Sequence, residues 1–242
     1  MLESSSVTST PQLILASNSP RRRQLLALSD WDFDVIVADV DESLFPQGES
    51  PADYVIRLAE TKARAIPARP DRMILAADTT VVDGPEILGK PKDEAEAFAM
   101  LRRLRGHTHQ VYTGVALLRQ SDGLLLQDLC VTDVPMRNYS DEEISAYIET
   151  GDPLDKAGAY AIQHSQFHPV TNVSGCYTSV MGLPLCRVAS LMGKMGFPFH
   201  TAVPAECQRL LDYQCPILRE SVSGTTDSSL PQSRRDDVSG GS

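Results

Sequence analysis

The segment MILAADTTVV at residues 73–82 decides the fold class, because it is a continuous apolar run that contains one carboxylate. A run of this length and composition is typical of a strand buried on both faces of a sheet. An ionised carboxylate is among the costliest groups to bury, so Asp78 requires a compensating cation, metal ion or cluster of donors. Asp78 is therefore the first candidate for chemistry in this chain.

Strand and helix patterns alternate on either side of this segment. The apolar residues 13–16 predict a short strand, which is followed by a helix with Ser19 as N-cap and Pro20 at the first helical position. Apolar periodicity predicts further helices at residues 51–63, 93–105, 140–148 and 184–193. Strands at residues 110–118 and 124–136, with turns at 83–84 and 122–123, add hairpins. The sequence therefore predicts a layered α/β fold with a mixed sheet.

The ends of the chain differ in composition from its centre. Residues 11–197 hold the predicted elements, and 42% of the 242 residues are hydrophobic, which is ample for a packed core. Residues 198–220 are predicted to form an extension with one more helix. Residues 1–10 and 221–242 are polar, with little to bury, and are predicted to be disordered.

Composition excludes several classes of protein. The formal net charge of -10 opposes nonspecific binding of nucleic acid, which requires a basic face. No apolar run approaches the roughly 18 residues of a membrane span, and the polar N-terminus lacks signal-peptide features, so a cytoplasmic location is expected. The five cysteines are odd in number and form no C-x-x-C pair, which favours reduced thiols over disulfides or a zinc site.

The segment SNSPRRR at residues 17–23 places three arginines in the first turn of a predicted helix. Basic residues are disfavoured there because the helix dipole repels them, whereas a phosphate would be attracted by the dipole, the free N–H groups and the guanidiniums. The segment therefore indicates a phosphate site, and the alternative is an ordinary helix cap with a solvated basic turn. Neither a Walker A loop nor a G-x-G-x-x-G motif is present.

Three further groups of polar residues could carry chemistry. Asp41 and Glu42 could hold a hard divalent cation together with Asp78, although surface acids are common. His107 and His109 have no evident third ligand, which favours a structural or solvated role over zinc binding. In the glycine-bearing loop 151–163, the amide of Gln163 could contact the edge of a base, and a plain loop is the alternative.

These pieces, in this order, resemble the Maf family of nucleoside triphosphate pyrophosphatases. The matching motifs span about residues 12 to 193 and are LILASNSPRRRQLL, VDES, ETKARA, AADTTVVDGPEILGKPKD, LRGHTHQVYTGVAL, GDPLDKAGAYAIQ and GCYTSVMGLPL. The resemblance implies a single Maf/ITPase-like domain, in which a mixed twisted sheet flanked by helices carries a deep substrate cleft. It also implies metal-assisted hydrolysis of a nucleoside triphosphate to the monophosphate and pyrophosphate.

Three positions within these motifs follow the division of the family by base preference. Members that act on dTTP and UTP have Arg after Ser-x-Ser-Pro, Thr after the aspartate of the ADT motif and Gln after DKAGAY-A-I, which correspond to Arg21, Thr79 and Gln163. The branch that acts on 7-methyl-GTP typically has Trp, Gln and Glu instead. The chain therefore resembles the dTTP/UTP branch, although residues 164–173 lack the glycines usual in the family and residues 198–242 have no recognised counterpart.

The resemblance assigns roles to individual residues. The phosphates are assigned to Ser17, Ser19, Arg21, Arg22, Lys62 and Lys90. A divalent cation (Mg, Mn or Co) is assigned to Glu42 and Asp78, with Asp78 also the proton acceptor for water that attacks the α-phosphorus. The alternatives are a pyrophosphatase for 7-methyl-GTP or other modified nucleotides, and a non-catalytic nucleotide-binding regulator of cell division. A homodimer is compatible with the family.

Overall fold

The computed structural model of the protein describes residues 11–29, 31–42, 48–197, 203–211 and 215. The predicted disordered ends, 1–10 and 221–242, lie outside these residues. The strands are β1 Gln12–Leu15, β2 Phe33–Val35, β3 Arg72–Asp83, β4 Glu86–Leu88, β5 Thr108–Arg119 and β6 Leu124–Pro135. The helices are α1 Pro20–Leu26, α2 Pro51–Arg64, α3 Glu94–Leu104, α4 Asp141–Glu149, α5 Tyr177–Val180, α6 Leu185–Lys194 and α7 Val203–Leu211, and 3-10 turns occupy Asp152–Asp155 and Ala157–Ala159.

The six strands form one mixed sheet, so the predicted α/β fold with a mixed sheet is confirmed. The strand order is β2-β1-β3-β5-β6, and β4 pairs with the end of β3. β1 lies parallel to both β2 and β3, whereas β3, β5 and β6 are antiparallel neighbours. The predicted turns at 83–84 and 122–123 connect β3 to β4 and β5 to β6. The short strands β2 and β4 were not predicted with these bounds.

One edge of β3 is left open in its middle. β1 pairs with residues 72–75 of β3, and β4 pairs with residues 81–83 on the same edge, because β5 occupies the opposite edge. Among the described strands, none pairs with residues 76–80 on this edge. Asp78 lies in that interval, so the end of β1 and the start of α1 reach the centre of β3 without an intervening strand.

The alternation of side chains along β3 sends neighbouring residues to opposite faces of the sheet. Ile74 and Ala76 pack with Ala59 and Ala63 of α2, whereas Leu75 and Ala77 belong to the core that contains residues of α1 and α6. Asp78 continues the first series and therefore faces α2. Thr79, one residue later, continues the second series and faces α1.

Helix α2 lies unusually close to the sheet beside Asp78. Gly114 of β5 is the antiparallel partner of Asp78, and a Cβ atom added to Gly114 would lie 2.6 Å from the backbone carbonyl atoms of Val55. The absent side chain allows the backbone of α2 to pack directly on β5. This close approach brings the buried face of α2, which includes Lys62, against the middle of β3.

The predicted helix starts are confirmed by their capping bonds. The Ser19 Oγ atom accepts from the N–H of Arg22, and Pro20 occupies the first turn of α1. Ser140 and Glu143 form the predicted capping box at the start of α4. Within the described part of the chain, no helix combines the length and apolar character required to cross a bilayer.

Candidate active site

A cleft of about 460 Å³ opens where β1 ends and β3 lacks a strand neighbour. Its walls come from the β1–α1 loop, the middle of β3, α2, the segment after β4 and the loop that follows α4. All ten residues predicted for the site line it: Ser17, Ser19, Arg21, Arg22, Glu42, Lys62, Asp78, Thr79, Lys90 and Gln163. Residues separated by almost 150 positions in the sequence are thus brought to one concave surface.

The ammonium group of Lys62 lies between two carboxylates. Its Nζ atom donates to Asp78 Oδ1 at 2.6 Å and lies 2.8 Å from Glu42 Oε1. Asp78 is only 5% exposed and Lys62 only 6%, which identifies Lys62 as the compensating cation that the buried carboxylate required. Lys62 was assigned to phosphate from the resemblance, and in the structure its direct partners are these carboxylates.

Glu42 remains ionised in this arrangement. Its partial burial would raise the pKa, but the hydrogen bond from Lys62 and the positive charges of Lys62, Lys90 and Arg22 outweigh that effect and lower the pKa below its ordinary value. Two carboxylates therefore converge on one point of the cleft. Among the described residues, no group of three or more histidine, cysteine, aspartate or glutamate side chains is arranged to hold a metal ion.

The three arginines of α1 have different surroundings. Arg22 is held by Gly182 O, which accepts from Nε at 2.8 Å, and by Thr79 Oγ1, which accepts from Nη2 at 3.1 Å. Burial lowers the pKa of Arg22, although the charge of Asp78 opposes that effect. Arg21 lines the cleft with Nη1 4.0 Å from Asp155 Oδ2, and Arg23 is exposed and does not line it.

The serines of the β1–α1 loop are poised as donors. Ser17 Oγ accepts from the N–H of Ser19 at 3.1 Å, and Ser19 Oγ accepts from the N–H of Arg22 at 3.4 Å. A hydroxyl group can donate one bond while it accepts another. Neither hydroxyl hydrogen is used by an acceptor in the described part of the chain, so both can be donated to an anion in the cleft.

The loop after α4 supplies a second buried lysine that was not among the predicted site residues. Lys156 Nζ contacts Asp152 Oδ1 at 2.8 Å, Asp155 Oδ1 at 2.5 Å and the carbonyl oxygen of Asp152. Lys156 lines the cleft and is 6% exposed. Its local signal was the pattern D-x-x-D-K, in which two acids precede a lysine in a glycine-bearing loop. The predicted base-contacting residue of the same loop, Gln163, is exposed at the cleft.

The two histidines at the start of β5 have separate partners. His107 Nε2 lies 2.9 Å from Asp83 Oδ1, whereas His109 Nε2 lies 2.8 Å from the hydroxyl oxygen of Tyr160. His109 is buried, and burial lowers its pKa to about 4, so its ring is neutral near neutral pH. Tyr160 lines the cleft, and His109 therefore supports the wall of the cleft from behind.

The comparisons with known proteins agree with the motifs. Residues 12–195 match the family described as Maf-like protein. A protein of Anaeromyxobacter dehalogenans named dTTP/UTP pyrophosphatase is 49% identical over 196 residues, which cover 80% of this chain and 99% of that protein. A protein of Geobacter sulfurreducens with the same name is 50% identical over 187 residues, or 76% and 97% of the two chains.

A similarity in structure alone is weaker. The fold resembles that of a HAM1 protein from Coxiella burnetii with a TM-score of 0.38 and 17% identity, over 53% of this chain and 74% of that one. The sequence comparisons cover the whole of the cleft and most of the described fold. On that evidence the chain belongs to the Maf family.

Proposed function

We propose that the protein hydrolyses nucleoside triphosphates, with dTTP and UTP preferred, to the nucleoside monophosphate and pyrophosphate. The observation that carries this proposal is the cluster of Asp78, Lys62 and Glu42 in the same cleft as the cationic start of α1. Relatives that are about half identical over most of the chain and are named dTTP/UTP pyrophosphatase support the choice of substrate.

The phosphates would be bound by one end of the cleft. A triphosphate brings about four negative charges, and Arg21, Arg22 and Lys90 line the cleft with the N-terminus of α1. The hydroxyl groups of Ser17 and Ser19 would donate to phosphate oxygens. Because the net charge of the chain is -10, this local positive surface distinguishes the cleft from the rest of the protein.

The carboxylates fit a divalent cation of the magnesium type. The oxygens of Glu42 and Asp78 both lie within 2.8 Å of Lys62 Nζ, so the two carboxylates are close together, and a cation held by them would lie beside the ammonium group. Hard cations such as Mg²⁺ prefer oxygen ligands, and they are commonly held by one or two carboxylates together with water and substrate phosphates. When bound, the cation would neutralise charge at the α-phosphate and lower the pKa of the attacking water.

Asp78 would accept the proton of the water that attacks the α-phosphorus. Its position on a regular strand, with the ammonium group of Lys62 held between it and Glu42, fixes the carboxylate without a flexible loop. As pyrophosphate leaves, the ammonium group of Lys62 would shift its hydrogen bonds from the carboxylates to the phosphate oxygens and stabilise their negative charge. The hydrolysis thus uses one proton acceptor and several fixed positive charges.

The nucleobase would lie near Thr79 and Gln163, and Thr79 borders the phosphate-binding residues because its Oγ1 atom accepts from Arg22 Nη2. Both residues line the cleft, and together they offer hydroxyl and amide groups to the edge of a pyrimidine. A site built around such hydrogen bonds rejects a mismatched base strongly, because its own polar groups would be left unpaired.

The test measures release of pyrophosphate by the purified 242-residue chain from each common nucleoside triphosphate and from 7-methyl-GTP. Each reaction is run with Mg²⁺, Mn²⁺ or Co²⁺ and, separately, with a chelator. The expected result is cation-dependent formation of monophosphate and pyrophosphate, fastest with dTTP and UTP. Faster cleavage of 7-methyl-GTP than of dTTP and UTP would show that the protein has the activity of the 7-methyl-GTP branch. Binding of nucleotide without cleavage under every condition would favour the regulatory alternative.

A further inference from the structure

A chain of hydrogen bonds connects Arg22 to helix α5 through two threonine hydroxyl groups. Arg22 Nη2 donates to Thr79 Oγ1 at 3.1 Å, and Thr79 Oγ1 lies 3.0 Å from Thr113 Oγ1. Thr113 Oγ1 in turn lies 2.9 Å from the carbonyl oxygen of Ser179. Thr113 is completely buried on β5, where it is the antiparallel partner of Thr79.

The direction of each hydrogen bond follows from the number of hydrogens. The carbonyl oxygen of Ser179 can only accept, so the single hydroxyl hydrogen of Thr113 is donated to it. Thr113 then has no hydrogen left for Thr79, and the short contact between the two hydroxyl groups must be filled by the hydrogen of Thr79. The reverse direction would leave two oxygens 2.9 Å apart with no hydrogen between them.

Thr79 is therefore held as an acceptor toward the cleft. The hydroxyl hydrogen of Thr79 points to Thr113, and one lone pair of its Oγ1 atom accepts from Arg22. The hydroxyl group can therefore offer a ligand only its remaining lone pair. A threonine on the surface of a cleft would ordinarily be able to donate or accept. Here the donor function is removed by Thr113, a residue that does not line the cleft.

We propose that Thr113 is a positioning residue that makes Thr79 select a base carrying a ring N–H donor. This inference rests on the proposed function and refines its base preference. Thymine and uracil have an N–H at ring position 3, which matches an acceptor, whereas cytosine has a lone pair at that position. With Thr79 held as an acceptor, two lone pairs would face each other in a complex with dCTP, and the discrimination arises from that repulsion.

Thr113→Val tests the proposal because valine keeps the shape of threonine but removes the hydroxyl group. Thr79 would then be free to rotate its hydrogen toward cytosine while still accepting from thymine. The expected result is a fall of about tenfold in the ratio of kcat/KM for dTTP to kcat/KM for dCTP, through a gain with dCTP. Thr113→Ser keeps the hydroxyl group and is expected to restore the ratio of the unmodified chain.

Thr132→Val is the matched control. Thr132 is a buried threonine on the neighbouring strand, and its Oγ1 atom donates to the carbonyl oxygen of Cys176 at 3.5 Å without contact to Thr79. If the effect came from general loosening of the core, the ratio of dTTP to dCTP would change equally in Thr132→Val and Thr113→Val. The proposed mechanism changes this ratio only in Thr113→Val. An unchanged ratio in Thr113→Val, or an equal change in the control, overturns the proposal.

A second variant keeps the test decisive if Thr113→Val does not fold. Thr79→Val removes the acceptor itself, so the ratio of dTTP to dCTP is expected to fall through a loss with dTTP. An unchanged ratio in Thr79→Val would show that Thr79 does not contact the base, and the inference would fail. If the unmodified chain releases no pyrophosphate from dTTP or UTP, the proposed function fails instead, so the two failures are distinguishable.

Discussion

The cleft contains two buried lysines that are each held by two carboxylates, yet the two clusters are built differently. Lys62 has a side chain 8% exposed and contacts Asp78, at 7%, and Glu42, at 49%. Lys156 is equally buried, at 7%, but its partners Asp152 and Asp155 are 32% and 67% exposed. Burial of the cation is therefore shared by the two clusters, and burial of the anion occurs only in the first.

The clusters also differ in how the chain assembles them. Lys156 meets acids one and four residues before it in a 3-10 turn, so the backbone of one short segment is sufficient. Lys62 on α2 meets Asp78 on β3 and Glu42 before α2, which requires the helix to pack on the sheet. The Lys156 cluster is therefore formed within one short segment. The Lys62 cluster depends on tertiary packing, which must offset the free-energy cost of burying the charge of Asp78.

Replacement of the buried carboxylate is expected to have the largest effect. Asp78→Asn keeps the size of the side chain but removes the proposed proton acceptor, and a general base contributes about 10² to 10⁴ in rate. The rate of pyrophosphate release should fall at least a hundredfold on this scale, with an unchanged circular dichroism spectrum. The corresponding change in the other cluster, Asp152→Asn, should lower the rate by less than about tenfold, because Lys156 keeps Asp155 and the carbonyl oxygen of Asp152. Equal effects would remove the distinction between the clusters.

Removal of each lysine measures the difference in stability. Lys62→Met leaves Asp78 as an uncompensated buried charge and should lower the free energy of unfolding by about 3 to 5 kcal/mol. Lys156→Met leaves carboxylates that reach solvent, and the expected loss is about 1 kcal/mol or less. Urea denaturation of the two variants provides both values.

A double-mutant cycle identifies the cause of that difference. In the Asp78→Asn background the charge that Lys62 compensates is gone, so Lys62→Met should be less costly there by about 2 kcal/mol or more. Additive effects in the cycle would mean that Lys62 stabilises the protein by its packing and not by its charge.

The same comparison explains why one cluster could be predicted from the sequence and the other could not. Asp78 interrupts an apolar strand, and that conflict is visible in ten consecutive residues, so the need for a cation followed directly. Lys156 lies among polar and small residues, where its charge conflicts with nothing. Its burial results from the 3-10 turns and the core around α3 and α4, which periodicity does not describe.

The strand partner of Asp78 and the direction of the Thr79 hydroxyl group could not be predicted without the register of the sheet. The strand pattern predicted β3 and β5 as separate strands, but only their pairing sets Thr79 opposite Thr113 and Asp78 opposite Gly114. A shift of one residue would exchange the faces of every side chain in β5. Sequence motifs therefore predicted residues that line one cleft, and the tertiary pairing determined which of their atoms are available.

A small side chain added at Gly114 tests whether the Lys62 cluster depends on the packing of α2. The Cβ atom of Gly114→Ala would lie 2.6 Å from Val55 backbone atoms, so the helix must shift away from the sheet. Overpacking of this kind should lower the free energy of unfolding by about 1 to 3 kcal/mol and weaken the contact between Lys62 and Asp78. Gly89→Ala is the control, because a Cβ atom there meets nothing within 4 Å and its φ is not positive. Equal stability of the two variants would contradict the close packing.

The smallest expected effect is a pH dependence of stability caused by His109, which lies behind the Lys156 loop. His109 is bonded to Tyr160 of that wall, and burial lowers its pKa from 6.5 to about 4. Between these two values the unfolded chain binds a proton that the folded protein does not, so stability falls as the pH falls through 6.5 toward 4.

Glu42 of the other cluster should respond at lower pH. Its pKa is lowered from 4.5, so its stabilising contribution is present above that value and is lost only as the pH falls further, through the folded-state pKa. From about pH 7.5 to about pH 5.5, His109 should therefore account for a loss of about 1 kcal/mol, and Glu42 for almost none. Urea denaturation at the two pH values should give a smaller loss for His109→Gln, and an unchanged loss for His168→Asn, which removes an exposed histidine. If His109→Gln loses as much unfolding free energy as the unmodified chain, His109 is not held neutral, and another group causes the pH dependence.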